Sequence, residues 1–185
     1  MEHFYNNIQG WFTYPKLYSK MVAQASDNAL FVEIGAWKGC STAYMAVEII
    51  NANKQINFDV IDTWKGSTEH NINTEDLQEA LYREFLNNTA PVKHIIRPIR
   101  TTSLQGSKLY EDNSIDFVFI DAGHSYVDVI TDINSWFPKV KQGGFIGGHD
   151  YGHPWVEVQE AVDTFFKNID KPFEIAEYSW LYHKK

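Results

Sequence analysis

Acids, glycines and histidines recur in this sequence directly after short apolar runs, and those are the residues most able to do chemistry. Glu33-Ile34-Gly35-Ala36-Trp37-Lys38-Gly39-Cys40-Ser41 follows one such run, and Asp62-Thr63-Trp64-Lys65-Gly66 follows the next. Asp121-Ala122-Gly123-His124 and Gly148-His149-Asp150-Tyr151 follow two later ones. Gly35 and Gly39 permit a tight turn and close approach of a ligand to the backbone. A turn of that kind opening a helix offers N–H groups to a carboxylate or phosphate. The spacing Glu-x-Gly-x-x-x-Gly is neither the dinucleotide fingerprint, because Trp37 stands at the second glycine position, nor a P-loop. Asp62, one βαβ unit later, is placed to take the two hydroxyls of a ribose. Read singly, each is ordinary: a turn glycine, a capping acid, a histidine at a helix start. Together they point to a nucleoside-type ligand with titratable groups beside it.

The elements that must position these residues follow from periodicity. Short β-branched runs at Ala29–Ile34, Ile56–Ile61, Val92–Arg97, Ile115–Ile120 and Gly144–Gly148 read as strands. Helical segments are predicted over Pro15–Gln24, Ser41–Ile50, Thr74–Asn87, Ser103–Tyr110, Ser125–Phe137 and Val156–Asn168. Thr74 reads as a helix cap, and Ser125 with Asp128 as a capping-box-like pair. Phe173–Glu177 and Trp180–His183 are too close for a crossover helix, so they form an antiparallel hairpin. The alternation predicts an α/β sandwich with a mostly parallel sheet. In such sheets ligands bind beyond the carboxyl ends of the strands, which is where the acids, glycines and histidines fall.

Composition narrows the function. The 185 residues suit one domain, an N-terminal helical or lid segment over 1–28 followed by a core over 29–185. A net charge of −8 argues against a nucleic-acid substrate and against docking on anionic membranes. Cys40 is the single cysteine, so no internal disulfide forms, and it reads as a small apolar filler. No signal-like or membrane-length apolar run is visible, and a soluble cytoplasmic protein is expected.

The combination Glu33-x-Gly35-x-x-x-Gly39 with Asp62 resembles the cofactor site of class I S-adenosylmethionine (SAM)-dependent methyltransferases. Three stretches, Ile61–Gly66, Phe119–Tyr126 and Gly143–Tyr151, are similar to methyltransferase family 24, the macrocin-type group of small-molecule and sugar O-methyltransferases. The resemblance implies a Rossmann-like three-layer sandwich with a seven-stranded sheet and an antiparallel C-terminal strand. It implies that Glu33, Gly35, Ala36, Gly39 and Ser41 lie at the amino-acid end of SAM and that Asp62 holds the ribose. Thr63, Trp64 and Ser103 would then lie beside the ribose and adenine. It places Asp121 next to the cofactor and the chemistry, and His124 where sugar-type relatives carry a base. Asp121, His149 and Asp150 occupy metal-ligand positions, so a divalent cation, Mg²⁺ or Mn²⁺, is a further expectation. The histidine at 149 is unusual for Mg²⁺, which prefers oxygen ligands.

Methyl transfer from a sulfonium needs no general acid, whereas a hydroxyl acceptor must lose a proton as it attacks. A histidine suits that task near neutral pH. The amine-methylating Asn/Asp-Pro-Pro-Phe/Tyr signature is absent after the fourth strand, which favours oxygen as acceptor, in a small hydroxylated substrate. Trp64, Trp155 and Tyr151 are candidates for an apolar substrate wall, while Trp11, Trp37, Trp136 and Trp180 are explained by packing. Candidate lids are Tyr5–Lys20 and Lys65–Asn73, and His70 and His153 are loop histidines near the mouth. A small lid suggests either a compact substrate or help from a neighbouring subunit, and on the second ground a homodimer is expected. Competing readings are a metal-dependent hydroxylase-like relative and a catalytically inactive SAM- or nucleoside-binding module.

Overall fold

The computed structural model describes residues 1–66 and 74–185. The expected position of His70, and most of the candidate lid at 65–73, lie outside the described residues. One seven-stranded sheet organises the chain in the order β3-β2-β1-β4-β5-β7-β6. Its strands are β1 (Leu30–Ile34), β2 (Asn57–Asp62), β3 (Ile96–Arg100), β4 (Ile115–Ile120), β5 (Val140–Gly148), β6 (Glu174–Ala176) and β7 (Ser179–His183). The first five run parallel, and β7 lies antiparallel to both β5 and β6. This is the mixed, mostly parallel Rossmann-like sheet with an antiparallel C-terminal hairpin.

Side chains alternate across the sheet as a pleated strand requires. Phe31 of β1, Phe58 and Val60 of β2, and Phe117 and Phe119 of β4 share one face. They pack there with α1 (Pro15–Gln24), α2 (Cys40–Asn51) and α3 (Glu75–Asn88). Val32, Ile34, Ile61, Val118, Ile120 and Ile146 point to the other face. That face is covered by α5 (Tyr126–Trp136) and α6 (Val156–Asn168), with the short α4 (Ser103–Ser107) beside them. Three helix starts are fixed by side-chain caps: Thr74 accepts from Leu77 N–H, Thr102 from Gln105 N–H and Ser125 from Asp128 N–H. No described helix is long and apolar enough to cross a membrane.

Three elements depart from the periodicity reading. β3 begins at Ile96 rather than Val92, because Pro91 sits in a 3₁₀ turn over Ala90–Val92. Pro98 is tolerated inside β3 because β3 is the sheet edge, where a missing N–H breaks no ladder. β5 starts earlier, at Val140, and α4 is shorter, ending at Ser107.

Candidate active site

The parallel ladder continues one residue past the strands and brings the chemistry to one level. Gly35 N–H donates to Ile61 O (2.9 Å), Asp121 N–H to Ile34 O (2.8 Å) and His149 N–H to Ile120 O (3.1 Å). Above these exits lies an open cavity of about 1620 Å³. Of the expected site residues, Gly35, Ala36, Ser41, Asp62, Thr63, Ser103, Asp121, His124, His149 and Asp150 line it. Glu33, Gly39 and Trp64 do not.

Gly35 has a φ of +87°, and a Cβ there would sit 1.8 Å from the Asp121 carbonyl oxygen. Only glycine lets the β1 exit pass so close to the β4 exit. Gly39 is also left-handed, at +89°, but its missing side chain makes room for Thr89 and Phe85 and not for the cavity. It caps α2, whose N-terminus faces the cavity through Ser41. Asp62 anchors this turn: one carboxylate oxygen accepts from Ala36 N–H (2.8 Å) and Trp37 N–H (2.9 Å), the other from Trp64 N–H (2.7 Å).

Glu33 lies beneath the floor, 1% exposed. Its carboxylate accepts from Tyr18 (2.9 Å) and, in a short bond, from Thr42. Burial outweighs these bonds and one from Ser41, and pushes its pKa up to about 7.

Trp64 is fully buried, not beside the cavity. The bond from its N–H to Asp62 and a φ of +48° turn the ring inward onto Tyr82 and Phe85. Its indole N–H donates to Trp37 O at 3.0 Å. Tyr151 likewise leaves the wall, packing on Phe173 and donating its hydroxyl to Asp163. Trp155 lines the cavity and stacks on His124, with ring centroids 3.9 Å apart. Of the tryptophans assigned to packing, Trp136 and Trp180 are core residues, whereas Trp11 is 69% exposed and stacks on Trp37 at the cavity wall.

Four titratable groups meet at the exits of β4 and β5. His124 Nε2 lies 3.0 Å from Asp150 Oδ2, and His149 Nδ1 lies 3.2 Å from Asp150 Oδ1 and 3.8 Å from Asp121 Oδ1. Burial opposes ionisation of Asp150, but hydrogen bonds from His124 and His149 outweigh it and hold its pKa well below the carboxylate range. Burial raises the Asp121 pKa, against the charge of His149. His149 is raised: burial disfavours its cation, and the bond to Asp150 and the charge of Asp121 overcome that. Asp121, His124 and Asp150 form the metal-capable group among the described residues, their ligand atoms within 4.8 Å of one another. His149, expected among the ligands, stands behind it with Nε2 on Thr13 Oγ1 at 2.8 Å.

The candidate lid at Tyr5–Lys20 borders the cavity, but its tie to the buried acids was not read from the sequence. Gly10–Thr13 forms part of the cavity wall, and Tyr14 donates its hydroxyl to Asp121 Oδ2 at 2.7 Å. Tyr14 and Tyr18 stand one helical turn apart, so a single face of α1 reaches both Asp121 and Glu33. The i,i+4 tyrosine pair was the signal available. Cys40 lines the cavity too, but burial pushes its thiol up to about 11, so it is not a reactive thiolate.

Comparison with known proteins agrees with this construction. A family model described as a methyltransferase domain, the family-24 type, matches residues 32–151. An uncharacterised protein of Acanthamoeba polyphaga mimivirus is 31% identical over 147 residues, covering 77% of this chain and 62% of that protein. An uncharacterised Sinorhizobium fredii protein is 22% identical, and there the match spans 80% of this chain but 16% of that protein. The chain therefore spans less than two thirds of either curated relative. Among solved structures, the O-methyltransferase NovP superposes with a TM-score of 0.69 at 18% identity, over 94% of this chain and 80% of NovP. A Streptococcus mutans protein named as a methyltransferase and solved with S-adenosylhomocysteine (SAH) superposes with a TM-score of 0.61 at 14% identity, over 92% of this chain and 97% of that one. These structural likenesses concern the fold, and the match over residues 32–151 carries the assignment: the chain belongs to the class I SAM-dependent methyltransferases of the family-24 type.

Proposed function

We propose that the protein transfers the methyl group of SAM to a hydroxyl of a small molecule, with the His124–Asp150 pair drawing off the hydroxyl proton. The observation that carries this reading is that His124, Asp150 and Asp121 converge on the same cavity as the Gly35 turn and Asp62. The residues fit the cofactor. The Gly35 turn admits close approach, the α2 N-terminus at Ser41 suits a carboxylate, and Asp62 faces the cavity where ribose hydroxyls would lie. SAM supplies an electrophilic methyl group on a good leaving group, so the chain's own residues need only orient the acceptor and remove its proton.

Asp150 is held ionised and lies 3.0 Å from His124 Nε2, so it orients the imidazole that would take the acceptor's proton. Stacking on Trp155 fixes the imidazole plane, which is the orientation such a base requires. Tyr14 steadies Asp121 next to it. Holding the two reactants in line contributes about 7–11 kcal/mol in favourable cases.

The wall of the cavity carries Asp62, Asp121, Asp128, Asp132, Asp150 and Glu157, and no lysine or arginine among the described residues. That charge pattern favours an acceptor without phosphate or carboxylate groups. Trp155 and Trp11 offer it apolar faces.

A second reading comes from the clustering of Asp121, His124 and Asp150. These three would hold a divalent cation, and with an imidazole among the ligands Mn²⁺ or Fe²⁺ suits the set better than Mg²⁺. Such a cation would lower the acceptor's pKa and fix its orientation. The two readings exclude each other at His124, because a neutral imidazole bound to metal through Nε2 carries its proton on Nδ1 and is not a base.

The experiment is a screen of uncharged and cationic hydroxylated acceptors for SAH release, followed by His124→Gln. The base reading predicts a loss of turnover of about 10²–10⁴-fold with SAH affinity within about threefold of the parent. It also predicts that turnover survives chelation. Activity lost on chelation and restored by Mn²⁺ would replace it with the metal reading. Wild-type turnover in the variant would remove His124 from both.

A further inference from the structure

Asp132 is a buried acid that the transfer chemistry does not use. It lies on α5, is 7% exposed, and forms part of the cavity wall on the side of the loop that follows β3. Its neighbour there is Ser103, whose hydroxyl lies near enough to hold the carboxyl's pKa down. Ser103 Oγ in turn accepts from the indole N–H of the fully buried Trp136 at 2.8 Å. That bond occupies a lone pair of Ser103 and leaves its hydroxyl hydrogen available to Asp132. The carboxylate is therefore built into position, two links deep in the core.

A buried carboxylate needs hydrogen-bond donors. Burial raises its pKa to about 6, against the Ser103 bond, and the charge of Asp128 nearby adds to the rise. No lysine or arginine lines the cavity among the described residues, and its charged histidine, His149, pairs with Asp121 and Asp150 at the other end, so no described cation is set against Asp132. What remains is a neutral N–H donor brought by the ligand. If SAM lies as argued above, its amino-acid end sits at the Gly35 turn and its ribose at Asp62. The base then extends toward the β3 exit and Ser103. Its exocyclic amine is the neutral N–H donor that the nucleoside end carries.

We propose that Asp132 accepts a hydrogen bond from the exocyclic amine of the adenine and so makes the cofactor site selective for adenine. The proposal rests on the SAM-binding reading, and the test separates the two.

The experiment is calorimetric titration of SAH and of its 6-deamino (purine) analogue into the full chain and into Asp132→Asn and Asp132→Ala. The analogue lacks the amine and adds no new group. The unaltered protein is expected to prefer SAH by about tenfold or more, the effect of one hydrogen bond to a charged acceptor. Asp132→Asn keeps a neutral acceptor and should reduce the preference to a few-fold, and Asp132→Ala should bring it below about threefold. Asp132→Asn is close to isosteric and carries the test if the alanine variant fails to fold. A merely structural role would weaken both ligands equally and leave their ratio untouched. Equal binding of SAH and the analogue by the unaltered protein, or an undiminished preference in both variants, would overturn the proposal. Failure of the unaltered protein to bind SAH at all would instead remove the cofactor reading, and this proposal with it.

Discussion

Replacing Glu33 by glutamine should change how the stability of the protein depends on pH, and the direction follows from its burial. The carboxylate is 1% exposed and has no cationic partner among the described residues; it is held by hydroxyls of Tyr18 and Thr42. Burial lifts its pKa from an ordinary 4.5 to about 7 in the folded state. Between those values the folded chain binds the extra proton and the unfolded chain does not. Stability from this group is therefore complete below pH 4.5 and is lost as pH rises through about 7. The difference of two to three pH units corresponds to about 3 kcal/mol. The Glu33→Gln side chain is neutral at every pH and keeps the hydroxyl partners, so the substitution removes the slope. Urea unfolding of the ligand-free protein at pH 5, 6, 7 and 8 measures this directly. Relative to the parent, the glutamine variant should gain about 2–3 kcal/mol between pH 5 and pH 8. A stability difference that does not change with pH would show that Glu33 is not protonated in the folded state, and a change of the opposite sign would show that a cation stabilises it.

Two further substitutions address the floor of the site. Gly35→Ala places a Cβ against the Asp121 carbonyl at a φ of +87°, and should cost at least about 2 kcal/mol of unfolding free energy in a urea titration. An unchanged unfolding midpoint would mean that the β1 and β4 exits are further apart than described. Asp62→Ala removes the acceptor of three backbone N–H groups, so it should lower both thermal stability and SAH affinity. Asp62→Asn, which keeps one acceptor oxygen, should lose less stability than the alanine variant, and equal losses would contradict the anchoring role.

The sheet was legible in the sequence because its evidence is local. Runs such as Phe31-Val32 and Phe117-Val118-Phe119 alternate between two buried faces, and each is bounded by a glycine or acid that begins a loop. Since ligands in such sheets bind beyond the strand ends, the same runs located Gly35, Asp62, Asp121, His124 and Asp150 on one cavity. What was not legible depends on contacts distant in sequence. Tyr14 reaches Asp121 across 107 residues, and Thr13 reaches His149 across 136. Trp64 is a polar-tipped aromatic in a loop by sequence, and only the Asp62 turn and the Tyr82 and Phe85 side chains of α3 decide that it faces inward. Glu33 reads as a ligand residue by position, yet strand alternation puts it on the Phe31 face beneath the floor. His124 and His149 both follow strand ends, and only side-chain direction brings His124 together with Asp121 and Asp150 while His149 Nε2 meets Thr13.

The central claim is that this cavity binds SAM, and isothermal titration of SAM and SAH into chelator-stripped protein tests it most directly, with repeats in Mg²⁺ and Mn²⁺. The account predicts micromolar binding of both ligands without added metal, abolished or strongly weakened by Asp62→Ala. Absence of binding for both ligands under all three conditions would contradict it.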